Sequence, residues 1–376
     1  MKIWVYTFIV IMDPFKTLYN PKSIGFVSEA IYASDAKFNK KKFLDEALLN
    51  LDQLEMKQRV VQIADALQDN LPGTYKQKLN SLLKSVKSDK NTSGIHGFLL
   101  WPYTYFIEVY GIDDPINSMK ALYLITQQFT SEFGVRPFLE RYPDTVYGLF
   151  ENWVKDPNEH VRRWVSEGLR PNLPWGMKIS HINKNLKKNI KLLWQLKNDT
   201  SPYVRKSVAN HLNDIAALDS QLLLDTVEKW QSNKTNMQAL IKSALRNLVK
   251  QGHPQALKIL GFNPKADIAL KKLSISKKKI HEGDSLTISF ELINQSKTDQ
   301  PIMVDYILHY MKKNGQGSPK VFKLKQTQLA KGECMVLSKK HAFKPVTTRK
   351  HYAGQHKIEI QVNGQVKSSV DFVLQV

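Results

Sequence analysis

Two short motifs place a glutamate close to an arginine at what we predict to be a helix end. SEFGVRP, which contains Glu132, and SEGLRP, which contains Glu167, share Ser-Glu, then Gly, then Arg-Pro. We expect each glutamate to lie in the last turn of a helix, with the glycine as C-cap. A carboxylate there faces the negative end of the helix dipole, at a cost of about 0.3 to 1 kcal/mol. Either the acids take part in chemistry, or Arg136 and Arg170 simply pair with them and fix each loop.

A third acid, Asp214, follows one helical segment further along the chain. If the segments are consecutive repeats, the three acids lie on one face among basic side chains. Acids placed there repel an anionic polymer, but they stabilise a cationic reaction centre, such as the oxocarbenium-like sugar and charged leaving base of N-glycosidic cleavage. Trp175, between Pro174 and Gly176, could rest its ring on that cation or on a sugar. The alternative for Trp175 is packing between repeats.

An internal repeat predicts how these residues are positioned. DPNEHVRRWV, which begins at Asp156, aligns with DTSPYVRKSV, which begins at Asp199, at an offset of 43 residues. A period of roughly 40 to 47 residues is typical of HEAT or armadillo helix pairs, which stack into a solenoid. Each copy carries a basic pair near the helix start, Arg162-Arg163 and Arg205-Lys206. Cations beside the free amides of a helix N-terminus suit a phosphate, and the alternative is a solvated edge.

The pattern of apolar residues divides the chain into two parts. From Phe15 to about Phe262 apolar residues recur at helical spacing, in six or so helix pairs. Beyond that point they alternate with period 2 between turn residues, which predicts seven or so short strands and an Ig-like sandwich. The candidate strands include 273–275, 286–292, 304–310, 321–324, 357–362 and 370–376. The sequence therefore predicts a mainly α protein: a HEAT-like α-solenoid over residues 13–264, followed by an all-β Ig-like sandwich over residues 265–376.

Composition indicates an anionic partner. The formal net charge is +21, and residues 265–376 carry twenty Lys and Arg against nine Asp and Glu. Such an excess favours nucleic acid first and a membrane surface second, or simply a basic solvated surface. The sandwich would then be a second clamp on the polymer. With a single cysteine, Cys334, no disulfide framework is possible and a reducing cytoplasm is expected. The histidines show no zinc-ligand spacing, so we expect no metal and no cofactor.

Residues 1–12 are interpreted as a leader or as a start codon assigned too far upstream. Their apolar run of about ten residues is too short to cross a bilayer. No small-x-small cleavage site follows it. Met12 reads as a natural chain start, so we expect a soluble protein with no membrane partner.

Three long motifs give the helical part a family resemblance. FTSEFGVRPFLERYP, HVRRWVSEGLRPNLPWG and SPYVRKSVANHLND resemble the AlkC branch of the AlkC/AlkD bacterial alkylpurine DNA glycosylases, and the similarity extends from about Asp13 to Phe262. The C-terminal part resembles the subset of that branch with an appended Ig-like domain, through the loop TTRKHYAG. The loop departs from the expected pattern at Lys350 and Ala353, where Arg and Pro are expected. The apolar leader has no counterpart in the family.

The resemblance implies an enzyme that excises cationic methylated bases, such as 3-methyladenine, from duplex DNA without drawing the base into a pocket. Selectivity would come from the charge of the lesion and its weakened glycosidic bond. The motif match assigns the catalytic cluster to Glu132, Glu167, Trp175 and Asp214, with Glu167 ranked first. We expect DNA contacts from Arg162, Arg163, Arg170, Arg205 and Lys206 in the helical part, and from Arg349 and Lys350 in the sandwich. The enzyme is expected to be a metal-free, cytoplasmic monomer.

Two other functions stay open on the sequence alone. One is a non-catalytic HEAT-repeat scaffold that binds protein or nucleic acid. The other is a DNA-binding relative that recognises lesions but has lost activity. Replacing Glu132, Glu167 or Asp214 by the amide separates them, because only an enzyme would lose base release while keeping its DNA binding.

Overall fold

The computed structural model describes residues 15–88, 91–345 and 350–376. The chain divides into two compact units, one up to Leu218 and one from Asp219 onwards. The last helices therefore share a unit with the strands, and the domain boundary near residue 264 stays a prediction. The leader, residues 1–12, lies outside the described residues, as does Arg349.

The described residues of the first unit form twelve α-helices, as the helical spacing of apolar residues predicts. In the helix that carries Glu167, for example, Val161, Trp164 and Val165 are all buried at i, i+3 and i+4. The helices are α1 (Pro21–Ser34), α2 (Lys40–Ala47), α3 (Met56–Asn70), α4 (Tyr75–Ser85), α5 (Trp101–Tyr110), α6 (Pro115–Thr126), α7 (Arg136–Arg141), α8 (Pro143–Trp153), α9 (Glu159–Gly168), α10 (Ser180–Lys184), α11 (Leu186–Leu196) and α12 (Pro202–Ile215).

The two aligned segments form the same local structure, which confirms the repeat at this offset. Asp156 and Asp199 each occupy the turn before a helix, α9 and α12. The Asp156 carboxylate accepts the backbone N–H of Asn158 at 2.8 Å, and the Asp199 carboxylate accepts that of Ser201 at 2.9 Å. These Asx turns satisfy the backbone where it bends into each helix.

Both glutamates were expected in the last turn of a helix. This prediction is confirmed for Glu167 and wrong for Glu132. Glu167 is the next-to-last residue of α9. Glu132 instead lies in the loop between α6, which ends at Thr126, and α7. The N–H of Val135 donates to the carbonyl of Ser131 at 3.2 Å, so the Ser-Glu pair starts the turn that leads into α7.

The two motif glycines are not left-handed C-caps, contrary to expectation. Neither Gly134 nor Gly168 has a left-handed φ. Glycine is needed at these two positions because a larger side chain would not fit. A Cβ on Gly168 would meet Val135 Cγ1 at 3.0 Å, and one on Gly134 would meet Leu122 Cδ2 at 3.0 Å. Both contacts are tight in an interior that is already close-packed, so glycine lets neighbouring segments approach.

The second unit combines the last helices with an Ig-like sandwich. Its helices are α13 (Ser220–Trp230), α14 (Thr235–Ala244), α15 (Arg246–Lys250) and α16 (Pro254–Ile259). Its strands are β1 (Ile268–Ile275), β2 (Lys279–His281), β3 (Ser285–Asn294), β4 (Gln300–Met311), β5 (Gly317–Leu329), β6 (Cys334–Ala342), β7 (Gly354–Val362) and β8 (Gln365–Gln375). One sheet has the order β1-β3-β6 and the other β2-β8-β7-β4-β5. Side chains from both sheets, including Phe290, Tyr306 and Ile358, share one core.

The sequence did not single out two of these strands. β2 has only three residues. β6 is an edge strand in which Met335, Leu337 and His341 face inward, but the apolar pattern is hidden because Val336 is exposed and Lys339 takes the inward position between Leu337 and His341. Within the described part of the chain, the helices are all too short or too polar to cross a lipid bilayer.

Candidate active site

The three predicted acids come from three separate elements of the first unit. Glu132 precedes α7, Glu167 ends α9 and Asp214 lies in the last turn of α12. Their relative exposures are 8%, 5% and 6%. Carboxylates this buried need charged or hydrogen-bonding partners, because an isolated charge is costly in a protein interior.

Arg170 joins Glu167 to Asp214. One terminal nitrogen of its guanidinium group lies 2.6 Å from Glu167 Oε1, and its Nε lies 2.8 Å from Asp214 Oδ2. The other oxygen of Glu167 accepts a hydrogen bond from the Ser207 hydroxyl at 2.5 Å. The structure thus brings together two acids that are 47 positions apart in the sequence, around one side chain.

Arg163 connects Glu132 to the same group. Its guanidinium donates to the Glu132 carboxylate and lies 3.5 Å from Glu167 Oε1. The Tyr203 ring covers it, with 5.0 Å between Arg163 Cζ and the ring centroid. Glu132, Glu167 and Asp214 therefore form one network with Arg163 and Arg170, which we call the acid network.

The alternative in which both motif arginines pair with the motif glutamates holds for Arg170 and not for Arg136. Arg136 is buried and donates instead to main-chain carbonyls. It lies 2.7 Å from Met177 O, 2.8 Å from Gly168 O and 3.1 Å from Arg170 O. Arg136 thereby fixes the backbone on both sides of Trp175.

The network holds its acids in different electrostatic states. Burial on its own would raise the pKa of Glu167, but Arg163, Arg170 and the Ser207 hydroxyl outweigh it and hold that pKa below the usual value. Burial raises the pKa of Asp214, and Arg170 offsets this only in part. Three carboxylates face two guanidinium groups, so with all of them ionised the network carries a net negative charge.

Sequence reasoning missed the polar support behind Glu167. The hydroxyl groups of Ser207 and Ser166 lie 2.9 Å apart, and His211 Nδ1 lies 2.9 Å from Ser166 O. Burial lowers the pKa of His211 to about 4, so this ring is neutral near pH 7. A signal was present, because the 43-residue offset aligns Ser207 with the buried Trp164. A hydroxyl at a core position of the repeat indicates a local polar partner.

Trp175 is exposed on one side and stacked on the other. Its relative exposure is 63%, and its ring lies nearly parallel to that of Trp101, 9° apart with centroids 6.2 Å apart. Trp101 stacks in turn on Phe133 at 5.5 Å. The backbone of Trp175 has a left-handed φ of 66°, and its carbonyl accepts a hydrogen bond from Lys57 Nζ at 2.6 Å. The indole therefore makes a packing contact and still presents a free face.

Arg162 and Arg205 stabilise the repeat turns. Arg162 makes a two-point ion pair with Asp199, at 2.7 and 2.9 Å, and donates to the carbonyl of Asp156. Arg205 donates to the carbonyls of Asp199 and Thr200 at 2.5 and 2.9 Å. Arg162 and Arg205, which occupy the same position of the repeat, therefore have a structural role. The sequence had suggested only phosphate binding or a solvated edge for these residues.

The other predicted DNA contacts divide into two groups. Arg163 and Arg170 lie inside the acid network, whereas Lys206 and Lys350 are exposed. Arg349 lies outside the described residues. Phosphate binding by all of these side chains stays a prediction. Among residues 15–88, 91–345 and 350–376, no three His, Cys, Asp or Glu side chains are arranged to hold a metal ion.

Comparisons with known proteins agree with this architecture. The family described as "Uncharacterised protein YhaZ, C-terminal Ig-like domain" matches residues 269–376. The uncharacterized protein YhaZ of Bacillus subtilis (strain 168) is 37% identical over 362 residues, which cover 96% of this chain and 99% of YhaZ. The Pseudomonas fluorescens alkylpurine DNA glycosylase AlkC, bound to DNA containing an abasic site analog, superimposes with a TM-score of 0.90 at 33% identity, covering 96% of this chain and 99% of AlkC.

These matches extend over both the helical repeats and the sandwich, and they confirm the fold class and the resemblance drawn from the three motifs. The chain belongs to the AlkC branch of the AlkC/AlkD alkylpurine DNA glycosylases, in the subset that carries a C-terminal Ig-like domain.

Proposed function

We propose that this protein is a DNA glycosylase of base excision repair. It hydrolyses the N-glycosidic bond of cationic N-alkylated bases, such as 3-methyladenine, in duplex DNA. The observation that carries the proposal is a buried network of three carboxylates with a net negative charge, in a chain whose own net charge is +21. A purely electrostatic DNA-binding surface has no use for such acids, whereas a cationic reaction centre does.

The chemistry needs only the groups of the acid network and water. The bond from the base nitrogen to C1′ of the sugar breaks, and its electron pair neutralises the charged base. Positive charge then develops on the sugar, where the ionised Glu167 stabilises it. Water adds to C1′ and gives up a proton. Asp214 is the better acceptor for this proton, because its pKa is raised whereas that of Glu167 is lowered.

The same electrostatics support selectivity without base flipping. A neutral base gains little from the net charge of the acid network, while an N-alkylated cation is attracted before the bond begins to break. The free face of Trp175 suits a cation or a sugar ring. The lesion itself therefore supplies the discrimination, and a pocket that reads base edges is not required.

DNA binding is assigned to exposed cations. Lys206 in the helical part and Lys350 in the sandwich are exposed, and Arg349 neighbours Lys350 in sequence. The AlkC structure from Pseudomonas fluorescens contains DNA, which supports DNA as the partner here. We further propose a monomer that acts in the cytoplasm without metal, cofactor or membrane.

The test is release of free base from methylated duplex DNA by the purified protein, followed by chromatography. The parent protein should release 3-methyladenine. Glu167→Gln should slow release by about 10² to 10³-fold, the effect of removing one electrostatic stabiliser, and should leave DNA binding intact or tighter. Glu151→Gln, which changes an exposed acid on α8, is the matched control and should keep the parent rate.

No release of any methylated base by folded parent protein would point to the scaffold or to the inactive DNA-binding relative. Loss of DNA binding in Glu167→Gln would also count against a catalytic role, because the carboxylate would then act through the structure of the binding face.

A further inference from the structure

Tyr203 lies in the first turn of α12, beside the acid network, and the proposed chemistry gives it no role. The 43-residue offset of the repeat aligns it with His160 near the start of α9, and the two rings make a T-shaped contact with centroids 5.7 Å apart. The face of the Tyr203 ring covers Arg163, whose Cζ lies 5.0 Å from the ring centroid. An aromatic side chain of α12 thus lies against a cation of the equivalent helix one repeat earlier.

Arg163 is held on Glu167 less firmly than Arg170 is. Arg170 lies 2.6 Å from Glu167 Oε1, whereas Arg163 lies 3.5 Å from the same oxygen. The shorter contacts of Arg163 are with Glu132 and with the Thr130 hydroxyl. An arginine side chain has many rotamers to lose when it is ordered. Arg163 therefore needs a further contact to stay within reach of both glutamates.

A groove beside Arg163 offers its side chain other positions. The groove has a volume of about 270 Å³, and Arg163 and Tyr203 line it together with Phe129, Thr130 and His160. With the Tyr203 ring in place, the Arg163 side chain is only 13% exposed. Without the ring, water would reach the guanidinium group and the side chain would gain rotamers that point into the groove. The ring therefore favours one arrangement of Arg163 over several.

The position of Arg163 sets the charge state of Glu167. Burial on its own would raise the pKa of Glu167, and Arg163 is the first of the groups that lower it. The titratable and charged groups that face Glu167 are Arg163, Arg170 and, from α12, Tyr203, His211 and Asp214. Glu132 shares Arg163 with it. Of the two arginines, Arg163 is the one that the Tyr203 ring covers, so the ring acts on Glu167 through Arg163.

We propose that Tyr203 is a positioning residue of the glycosylase: its ring holds the Arg163 guanidinium against the carboxylates of the acid network. The inference rests on the proposed function. A cation lies on an aromatic face because the ring quadrupole is negative there, and a guanidinium group can also stack on the ring as a plane. The contact uses the ring and not the hydroxyl group. Phe at this position should therefore serve, whereas an aliphatic side chain should not.

The test is the single-turnover rate of base release from methylated duplex DNA by the full-length protein, at several pH values. Tyr203→Leu should slow release about tenfold, the effect of a partly desolvated cation–π contact expressed as a rate. Tyr203→Phe should stay within about twofold of the parent. Tyr32→Leu is the matched control and should keep the parent rate. Tyr32, on α1, is 42% exposed against 40% for Tyr203, and it also has a cation, Lys40, over its ring.

The pH dependence of release separates positioning from a general loss of structure. Release needs an ionised Glu167, so the rate falls as pH falls through the pKa of Glu167. In Tyr203→Leu the looser Arg163 lowers that pKa less, so the fall should begin at a higher pH than in the parent. In Tyr203→Phe it should begin at the same pH as in the parent. Thermal unfolding confirms that each variant is folded before rates are compared.

A double-mutant cycle tests whether the ring acts through Arg163. The double variant Tyr203→Leu/Arg163→Met should release base no more slowly than Arg163→Met alone, because losses at two residues in contact are not additive. Additive losses, or an unshifted pH dependence in Tyr203→Leu, overturn the positioning role and leave the glycosylase standing. A Tyr203→Leu variant whose only defect is weaker DNA binding also overturns it, because the ring would then act on DNA directly. No release by folded parent protein overturns both proposals.

Discussion

The acid network and the surroundings of Glu108, which lies on α5, treat buried carboxyl groups in opposite ways. Glu167 is held between Arg163 and Arg170, and its pKa is lowered despite burial. Glu108 forms no ion pair within the described residues, and burial raises its pKa to about 7 despite the positive charges of Lys57 and Arg136. Burial raises the pKa of both carboxyl groups, so contact with guanidinium groups decides the direction of the net pKa shift. One region keeps permanent negative charge, and the other keeps a carboxyl group that can hold its proton.

The largest effect is expected from removing Arg170, which with Arg163 lowers the pKa of Glu167 and is also the ion-pair partner of Asp214. Arg170→Met leaves Glu167 and Asp214 buried with fewer partners, and breaking a buried pair costs about 3 to 5 kcal/mol. Urea unfolding at pH 7 measures this loss. Arg141→Met is the matched control, because Arg141 pairs with Asp113 at 2.7 Å on the surface and should cost less than about 1 kcal/mol. Equal losses in the two variants would show that Arg170 is not the counter-ion of the network.

A smaller effect follows from the raised pKa of Glu108. The pKa is about 7 in the folded chain and 4.5 for an ordinary glutamate, so between these values the folded state holds a proton that the unfolded state has lost. The stabilisation is complete below pH 4.5 and is lost as pH rises through 7. Glu108→Gln removes this dependence and should be more stable than the parent above pH 7, by about 2 kcal/mol after allowance for partial exposure.

Urea unfolding of parent and Glu108→Gln at several pH values measures that difference. A constant difference between pH 4 and pH 8 would mean that Glu108 titrates normally, and the contrast between the two regions would disappear.

The smallest effect concerns Lys57, whose charge opposes the raised pKa of Glu108. Lys57→Met should raise that pKa further, so the loss of stability should move to higher pH by less than about one unit. Urea unfolding at several pH values gives the pH at which half of this stabilisation is lost, and this midpoint reports the shift. Lys41→Met, at an exposed position on α2, should leave the midpoint unchanged. A shift to lower pH in Lys57→Met would contradict the assignment.

The sequence singled out the three acids of the network through motifs near the ends of successive helical segments, although their spacings of 35 and 47 residues differ from the 43-residue offset of the repeat. Glu132 and Glu167 stand out because both segments contain Ser-Glu, then Gly, then Arg-Pro, and Asp214 stands out through its place one helical segment later. The loop position of Glu132 was missed because Gly134 resembles a C-cap, whereas its small size serves a close contact with Leu122.

The environment of Glu108 could not be predicted in the same way. Glu108 lies in WPYTYFIEVY, where the surrounding pattern is that of an ordinary buried helix. Its special environment arises only when loops carrying Phe133 and Trp175 meet that helix. Such a meeting depends on tertiary packing between distant segments, which leaves no local periodicity to read. The edge strand β6 escaped notice for a related reason, because its exposure follows from its place in the sheet.

The hydrogen bond from Lys57 to the carbonyl of Trp175 ties α3 to a loop 118 residues later in the chain. Loops and edges open before the core of a domain unfolds. On gradual heating, fraying of the first turn of α3 would remove this contact and leave the Trp175 loop held by Arg136 and by the Trp101 ring. The loop that carries the indole should therefore loosen at a lower temperature than the group formed by Glu167, Asp214 and Arg170.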